Sequence, residues 1–238
     1  LAAPGPPRAL TLLPLRRENP QETPIRDVES HELHAYLSEC YLITVHSAGM
    51  HCVDKIWHYV DTHKAGQDPH PLDHGTDYLL YRMLDAAVDT FFATLQITAD
   101  QIDYLENAVI DRPQRRLLED LFVVKHNLVT IRRLAIPMRE AMNVLSSDEI
   151  PYVQPPNRIY MRDVHNLLVA VAELADTQRD SSSGVLDAYL SSVNNNLSLI
   201  MKRMTIIATI FMPISFIASF GGMNFINFIP YDNPVMFW

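Results

Sequence analysis

Apolar residues recur along the middle of the chain at alternating steps of four and three. Leu84, Val88, Phe91, Leu95, Thr98, Ile102, Leu105 and Val109 form one such stripe. That spacing keeps side chains on one helical face and predicts a long amphipathic helix. Asp111-Arg112-Pro113 interrupts it, because proline lacks an N–H and disfavours a helical residue before it. The stripe restarts at Leu117 and runs through Leu121, Val124, Leu128, Ile131, Ala135, Met138, Met142 and Leu145. Two long helices across a tight break predict an antiparallel hairpin, with Pro137 placed to kink the second. Residues 146–158 (SSDEIPYVQPPNR) hold three prolines and read as a connector.

A third helix is predicted from near Tyr160. Its stripe is clearest at Leu186, Leu190, Val193, Leu197, Ile200, Met204, Ile207, Phe211, Ile214 and Ala218. Gly184 is a soft spot, costing about 1 kcal/mol relative to Ala. A continuous helix from Tyr160 to Phe220 would be about 90 Å long at about 1.5 Å per residue. No small globular domain holds such a helix. It has to run between compartments or along partner subunits.

The pattern ahead of the helices is different. Residues 1–25 are rich in Pro and Arg and read as irregular. Ala35 to Val45 (AYLSECYLITV), β-branched and aromatic with a polar break, predicts a strand pair or hairpin. His51 to His63 predicts a short helix, and residues 64–75 a loop. The chain opens at Leu1 rather than Met, so it is expected to be a fragment, with no signal peptide visible in the opening.

After Lys202 and Arg203 no ionisable residue occurs until Tyr231 and Asp232. Met204 to Phe220 is about 17 residues, near the lower limit for a membrane span. The alternative is a buried core helix. Against it, the earlier turns of this helix are polar and little sequence follows to cover it. The two basic residues mark a cytosolic end by the positive-inside rule, which places everything before them in the cytosol. Val235-Met236-Phe237-Trp238 reads as the interfacial opening of a second span that continues beyond this sequence.

Charge and composition narrow the function. The net charge of −9 argues against nucleic acid as a partner. Cys40 and Cys52 form neither a disulfide framework nor a CxxC motif, which suits a reducing compartment. Eight of the ten histidines lie between His31 and His74, yet HELH is not HExxH and no zinc-finger spacing occurs. Asp100, Asp103, Glu106 and Asp111 read as a solvated helix face. No motif supports catalysis, so no enzyme and no organic cofactor is expected.

One face of the span carries chemistry instead. From Ser198, every third and fourth residue is Met201, Thr205, Ala208, Met212, Ser215 and Ser219, small or weakly polar throughout. Two readings stand: close helix packing through small residues, or a pore lining made by several copies. A bare divalent ion could not cross such a lining, which offers nothing to replace its hydration shell. An ion that keeps its water could, and Mg²⁺ dehydrates reluctantly. Neutral oxygens hydrogen-bond its waters and bind weakly enough to release them, while Met204 and Met212 can gate by dewetting. The span ends in Gly221-Gly222-Met223-Asn224, where glycines let the chain leave the helix. A ring of Asn224 carboxamides would then circle an axis, though a simple helix cap is the plainer reading of an isolated turn.

TIIATIFMP (Thr205 to Pro213) followed by Gly222-Met223-Asn224-Phe225 resembles the signature of the CorA family of magnesium channels. The resemblance runs from about Leu80 to Phe225 through LLYRMLDAAVD, YMRDV and VLDAYLSSVNN, and YLITVH is similar to the family's cytosolic domain. It implies an α+β membrane protein. An incomplete cytosolic α/β domain would occupy residues 1–80, a long-helix stalk 81–200 and the first transmembrane helix 201–220. The GMN loop and the start of a second span, otherwise missing, would occupy 221–238. It also implies a homopentamer in the cell's inner (plasma) membrane, multi-pass, taking up Mg²⁺ passively and admitting Co²⁺ and Ni²⁺. By matching position, Gly222, Met223 and Asn224 would select the hydrated ion, with Asn224 holding it. Met201, Met204, Met212 and Ser215 would line the pore. Asp187 would form an acidic ring at the cytosolic mouth. Asp163, in YMRDV, would belong to a regulatory Mg²⁺ sensor between subunits, whose partner acid the sequence does not place. Three departures from the family pattern stand out: Gly221 where Tyr is usual, Ser198 where many members carry Asn, and FINFIPY where the loop is often acidic. The alternatives are a Zn²⁺ transporter of the related bacterial type, which usually carries a tripeptide other than GMN, and a membrane-anchored coiled-coil scaffold.

Overall fold

The computed structural model describes residues 8–9, 25–62, 71–147 and 150–222. Strands β2 (His31–Leu37) and β3 (Leu42–His46) form the expected hairpin, with Leu33 opposite His46 and Leu37 opposite Leu42. The first strand, β1 (Arg8–Ala9), pairs antiparallel with β2 on its other side, giving the order β1-β2-β3. Part of the segment read as irregular is therefore an edge strand. Two residues carry no period of their own; only the unpaired edge of β2 gives them a ladder.

Helix α1 (His51–Thr62) turns Cys52 and Ile56 inward against Leu33 and Met50, and Met83, Ala86 and Ala87 close this small core from the next helix. That helix, α2 (Thr76–Asp111), is two-faced in its first half. One face meets α1 and the sheet. The other carries the predicted stripe, and all eight of its residues from Leu84 to Val109 are buried. Asp111 ends α2 as Pro113 requires, and α3 (Arg115–Leu145) returns with Leu121, Val124, Leu128, Ile131, Ala135, Met138 and Met142 buried. Pro137 sits inside α3 without ending it. Each fully buried Leu, Val or Phe stabilises by about 1.5–3 kcal/mol, so this seam dominates the fold.

The last helix, α4 (Arg158–Gly222), is 65 residues long and passes through Gly184. Its buried residues are Met161, Val164, Leu168, Val171, Ala172, Ala175, Ser182 and Val185, which join the core of α2 and α3. The expected stripe beginning at Leu186 lies almost wholly beyond this core. Polar ties fix the third helix to the other two. Arg132 meets Asp176 at 2.8 Å, Gln178 donates to the Leu95 carbonyl at 2.9 Å, and Lys125 donates to Ser183 at 3.1 Å. Buried Asn127 holds residues 25–30 against α3, accepting from the Val28 N–H and donating to the Arg26 carbonyl, both at 2.9 Å. The chain divides into two compact units, the first ending at Tyr189 and the second starting at Leu190.

Candidate functional site

The candidate ion-conducting residues occupy the C-terminal part of α4. No residue from Leu190 to Gly222 is buried. Among the described residues this is the one helix long and apolar enough to cross a membrane. At about 100° per residue, Asp187, Ser198, Met201, Met204, Thr205, Ala208, Met212, Ser215 and Ser219 fall within about 60° of one line down the helix. Ile206, Ile210, Ile214 and Ile217 fall on the opposite side, all more than half exposed. The helix thus has a bulky aliphatic side and a side that gathers the sulfur- and hydroxyl-bearing residues together with Leu190, Leu197 and Phe216, and nothing else in the described chain covers either.

Hydrogen bonding fixes what Thr205 on that second side, and Thr209 at its margin, offer. The Thr205 hydroxyl donates to the Met201 carbonyl at 2.9 Å, and the Thr209 hydroxyl to the Thr205 carbonyl at 2.8 Å. With its proton used inside the helix, each hydroxyl turns only lone pairs outward. Pro213, inside α4, has no N–H for the Thr209 carbonyl four residues earlier. These groups are acceptors without charge, suited to water molecules held by a cation. Phe216 and Phe220 stack at 6.3 Å one turn from the helix end. Gly222 is the last residue of α4. Met223 and Asn224 lie outside the described residues.

The second candidate site lies where α2 and α4 begin. Asp163 is exposed on α4, one turn after Tyr160. The Tyr160 ring stacks on Tyr81 of α2 at 4.9 Å. Burial raises the pKa of the Tyr81 hydroxyl, with Asp85 and, less strongly, Asp163 adding to the rise. The same phenol therefore senses an acid from each helix. Burial also raises the pKa of Asp85, followed by the charge of Asp89; Arg82 and Lys55 oppose the shift. Asp89 meets Lys55 at 3.3 Å, and the Arg82 guanidinium lies 5.3 Å from the Tyr59 ring centre. The sequence reading left Asp163 without a partner acid and missed Asp85. The available signal was DAAVD on α2: two acids a turn apart, the first flanked by stripe residues and so forced part-way inward. Among the described residues no three His, Cys, Asp or Glu side chains form a metal-holding group. Asp187 is exposed on α4, as is Ser198.

Residues 8–238 match the family described as CorA-like Mg²⁺ transporter protein, a longer match than the stretch from Leu80 to Phe225. The cobalt/magnesium transport protein CorA of Thermotoga maritima is 44% identical over 149 residues, covering 63% of this chain and 42% of that protein. The protein of the same name from Methanocaldococcus jannaschii is 24% identical over 213 residues, covering 89% of this chain and 66% of that one. The chain thus spans under half the length of the first relative. The complete structure of the CorA magnesium transporter from M. jannaschii superposes with a TM-score of 0.73 at 23% identity, covering 92% of this chain and 74% of that one. The likeness extends to the fold: a small sheet domain, long helices and one apolar span.

Proposed function

The chain belongs to the family of CorA-like Mg²⁺ transporter proteins, and from that premise we propose that it is the subunit of a homopentameric channel for hydrated Mg²⁺ in the plasma membrane, open to Co²⁺ and Ni²⁺ as well. One observation carries the reading. A helix stands uncovered from Leu190 to Gly222, apolar after Arg203, with its methionines and most of its hydroxyls toward one side and isoleucines toward the other. Lipid suits the isoleucines. Copies of the same helix suit the other side, where five would enclose an axis lined by Ser198, Met201, Met204, Thr205, Ala208, Met212, Ser215 and Ser219, with Asp187 at the cytosolic mouth. Lys202 and Arg203 keep the N-terminal part cytosolic.

Selection follows from hydration. Mg²⁺ keeps several waters because stripping them is costly and its octahedral shell is tight. Carboxamides of Asn224 beyond Gly222 and Met223 would accept hydrogen bonds from those waters without dehydrating the ion. Neutral oxygens hold it loosely, so it leaves as readily as it enters. Regulation would come from internal Mg²⁺ bound between Asp163 of one copy and an acid of the next, with Asp85, whose charge acts on the same Tyr81 hydroxyl, one candidate. Bound ion neutralises facing carboxylates and holds the ring closed. When Mg²⁺ falls, repulsion between those carboxylates loosens it.

The test is Mg²⁺ flux into liposomes carrying the full-length protein. Asn224→Ala is expected to abolish selective uptake, and normal flux in that variant removes Asn224 from selection. Asp163→Ala is expected to relieve inhibition by internal Mg²⁺. Competition between Mg²⁺ and Zn²⁺ in the same assay separates this reading from Zn²⁺ transport.

A further inference from the structure

The start of α2 holds a carboxylate that ion conduction does not use. Asp77, in the first turn, is 1% exposed. A charge that deep has to be met by donors. Asp77 Oδ2 accepts from the Gln154 N–H at 2.8 Å and from Asn157 Nδ2 at 2.9 Å. Asn157 also donates to the His74 carbonyl at 3.1 Å. Both donors belong to the connector that runs directly into α4 at Arg158. The backbone passes tightly over this carboxylate. Gly75 has φ +93, and a Cβ there would stand 2.7 Å from Asp77 Oδ1. Only glycine fits both demands.

Rings continue the tie. His74 packs on Tyr78 at 4.8 Å, Tyr78 on Tyr160 at 5.5 Å, and Tyr81 on Tyr160 at 4.9 Å. Tyr160 is one turn from Asp163, and Tyr81 one turn from Asp85. Apolar contacts alone, such as those of Met161 and Val164 in the shared core, tolerate small slides. Hydrogen bonds to a buried carboxylate do not, because they weaken steeply with distance and angle.

We infer that Asp77 is a positioning residue for Asp163: by holding Gln154 and Asn157 it sets the register of the first turns of α4 on α2. The inference rests on the reading of Asp163 as a sensor acid. Mg²⁺ demands near-ideal geometry, and loss of groups that orient metal ligands typically weakens binding about 10- to 100-fold. Asp77 touches no ion. Its loss moves the sensor's set point while the conducting helix stays intact.

The experiment is Mg²⁺ flux in liposomes carrying the full-length protein, read against internal Mg²⁺. Asp77→Asn is expected to raise the half-inhibiting Mg²⁺ concentration at least about tenfold. Flux without internal Mg²⁺ stays within about twofold of the parent. In an Asp163→Ala background, Asp77→Asn is expected to add no further shift, which a merely structural role would not produce. Unchanged inhibition in Asp77→Asn, with Asp163→Ala altering it, overturns the inference and spares the sensor. Additive shifts overturn it too. Unchanged inhibition in Asp163→Ala removes the sensor and this inference together. Should Asp77→Asn not assemble, Asn157→Ala removes one donor only and carries the same expectation and the same refutations.

Discussion

Two stretches of α4 share a period and differ in everything else. From Met161 to Val185, eight residues are buried against α2 and α3. From Leu190 to Gly222, no residue is buried, although this stretch is the more apolar. Helical periodicity therefore says that a face is covered without saying by what. In the first stretch the cover comes from the same chain. In the second no described residue supplies it, and on the proposed reading lipid and other copies do. The charged residues mark the change: Asp176, Arg179 and Asp180 sit at the end of the covered stretch, while only Lys202 and Arg203 interrupt the apolar run after Asp187.

The largest test of that contrast is a pair of truncations. Leu168 is fully buried and Ile210 is 56% exposed. Leu168→Ala is expected to destabilise the helical unit by about 2–5 kcal/mol, seen as faster hydrogen exchange at the amides of α2 and α3. Ile210→Ala is expected to leave those amides unchanged. Equal effects would erase the distinction between the two stretches.

A smaller effect concerns Asp85, which sits half-buried where the covered stretch begins. Its folded pKa is raised above the ordinary 3.8, so the folded protein holds its proton more tightly than the unfolded chain does. Stability therefore falls as pH rises from 3.8 through the raised value, and the penalty is fully present at neutral pH. Asp85→Asn should raise the melting temperature at pH 7 in the absence of divalent ions. The gain should shrink on acidification and vanish below about 3.8. A gain independent of pH would point to packing instead.

The smallest effect belongs to the Arg132–Asp176 pair. Its side chains are 45% and 38% exposed at 2.8 Å, so solvent screens most of the attraction. Arg132→Ala should cost at most about 1 kcal/mol, and less at high salt. A larger, salt-independent loss would mean that the pair holds α4 as firmly as the apolar seam does.

The helical hairpin was legible in the sequence because its stripes pack within the chain. Every predicted α2 position from Leu84 to Val109 is buried, and Pro113 set the turn. The strand pair was legible for the same local reason, except that β2 begins at His31, four residues before the expected Ala35. The buried stripe from Met161 to Val185 was harder to see. Its second half is carried by Ala175, Ser182 and Val185 and is interrupted by Thr177, Arg179 and Ser181, so its apolar period is weaker than the one beyond Leu186. The side of α4 that carries Met201, Thr205, Met212 and Ser215 was legible because it needs only one helix and a three-four spacing.

Local pattern and local chemistry were enough to determine the helices, their breaks, the apolar span and its unlike sides. Each depends on residues within a few turns of one another. Tertiary structure alone decided the edge strand β1, the pairing of Tyr81 and Tyr160, the action of Asp85 and Asp163 on the same Tyr81 hydroxyl, and the burial of Asp77. Asp77 and Gln154 are 77 residues apart in sequence and 2.8 Å apart in space. No periodicity reports such a contact, because a hydrogen bond between distant residues comes from the packing of whole helices.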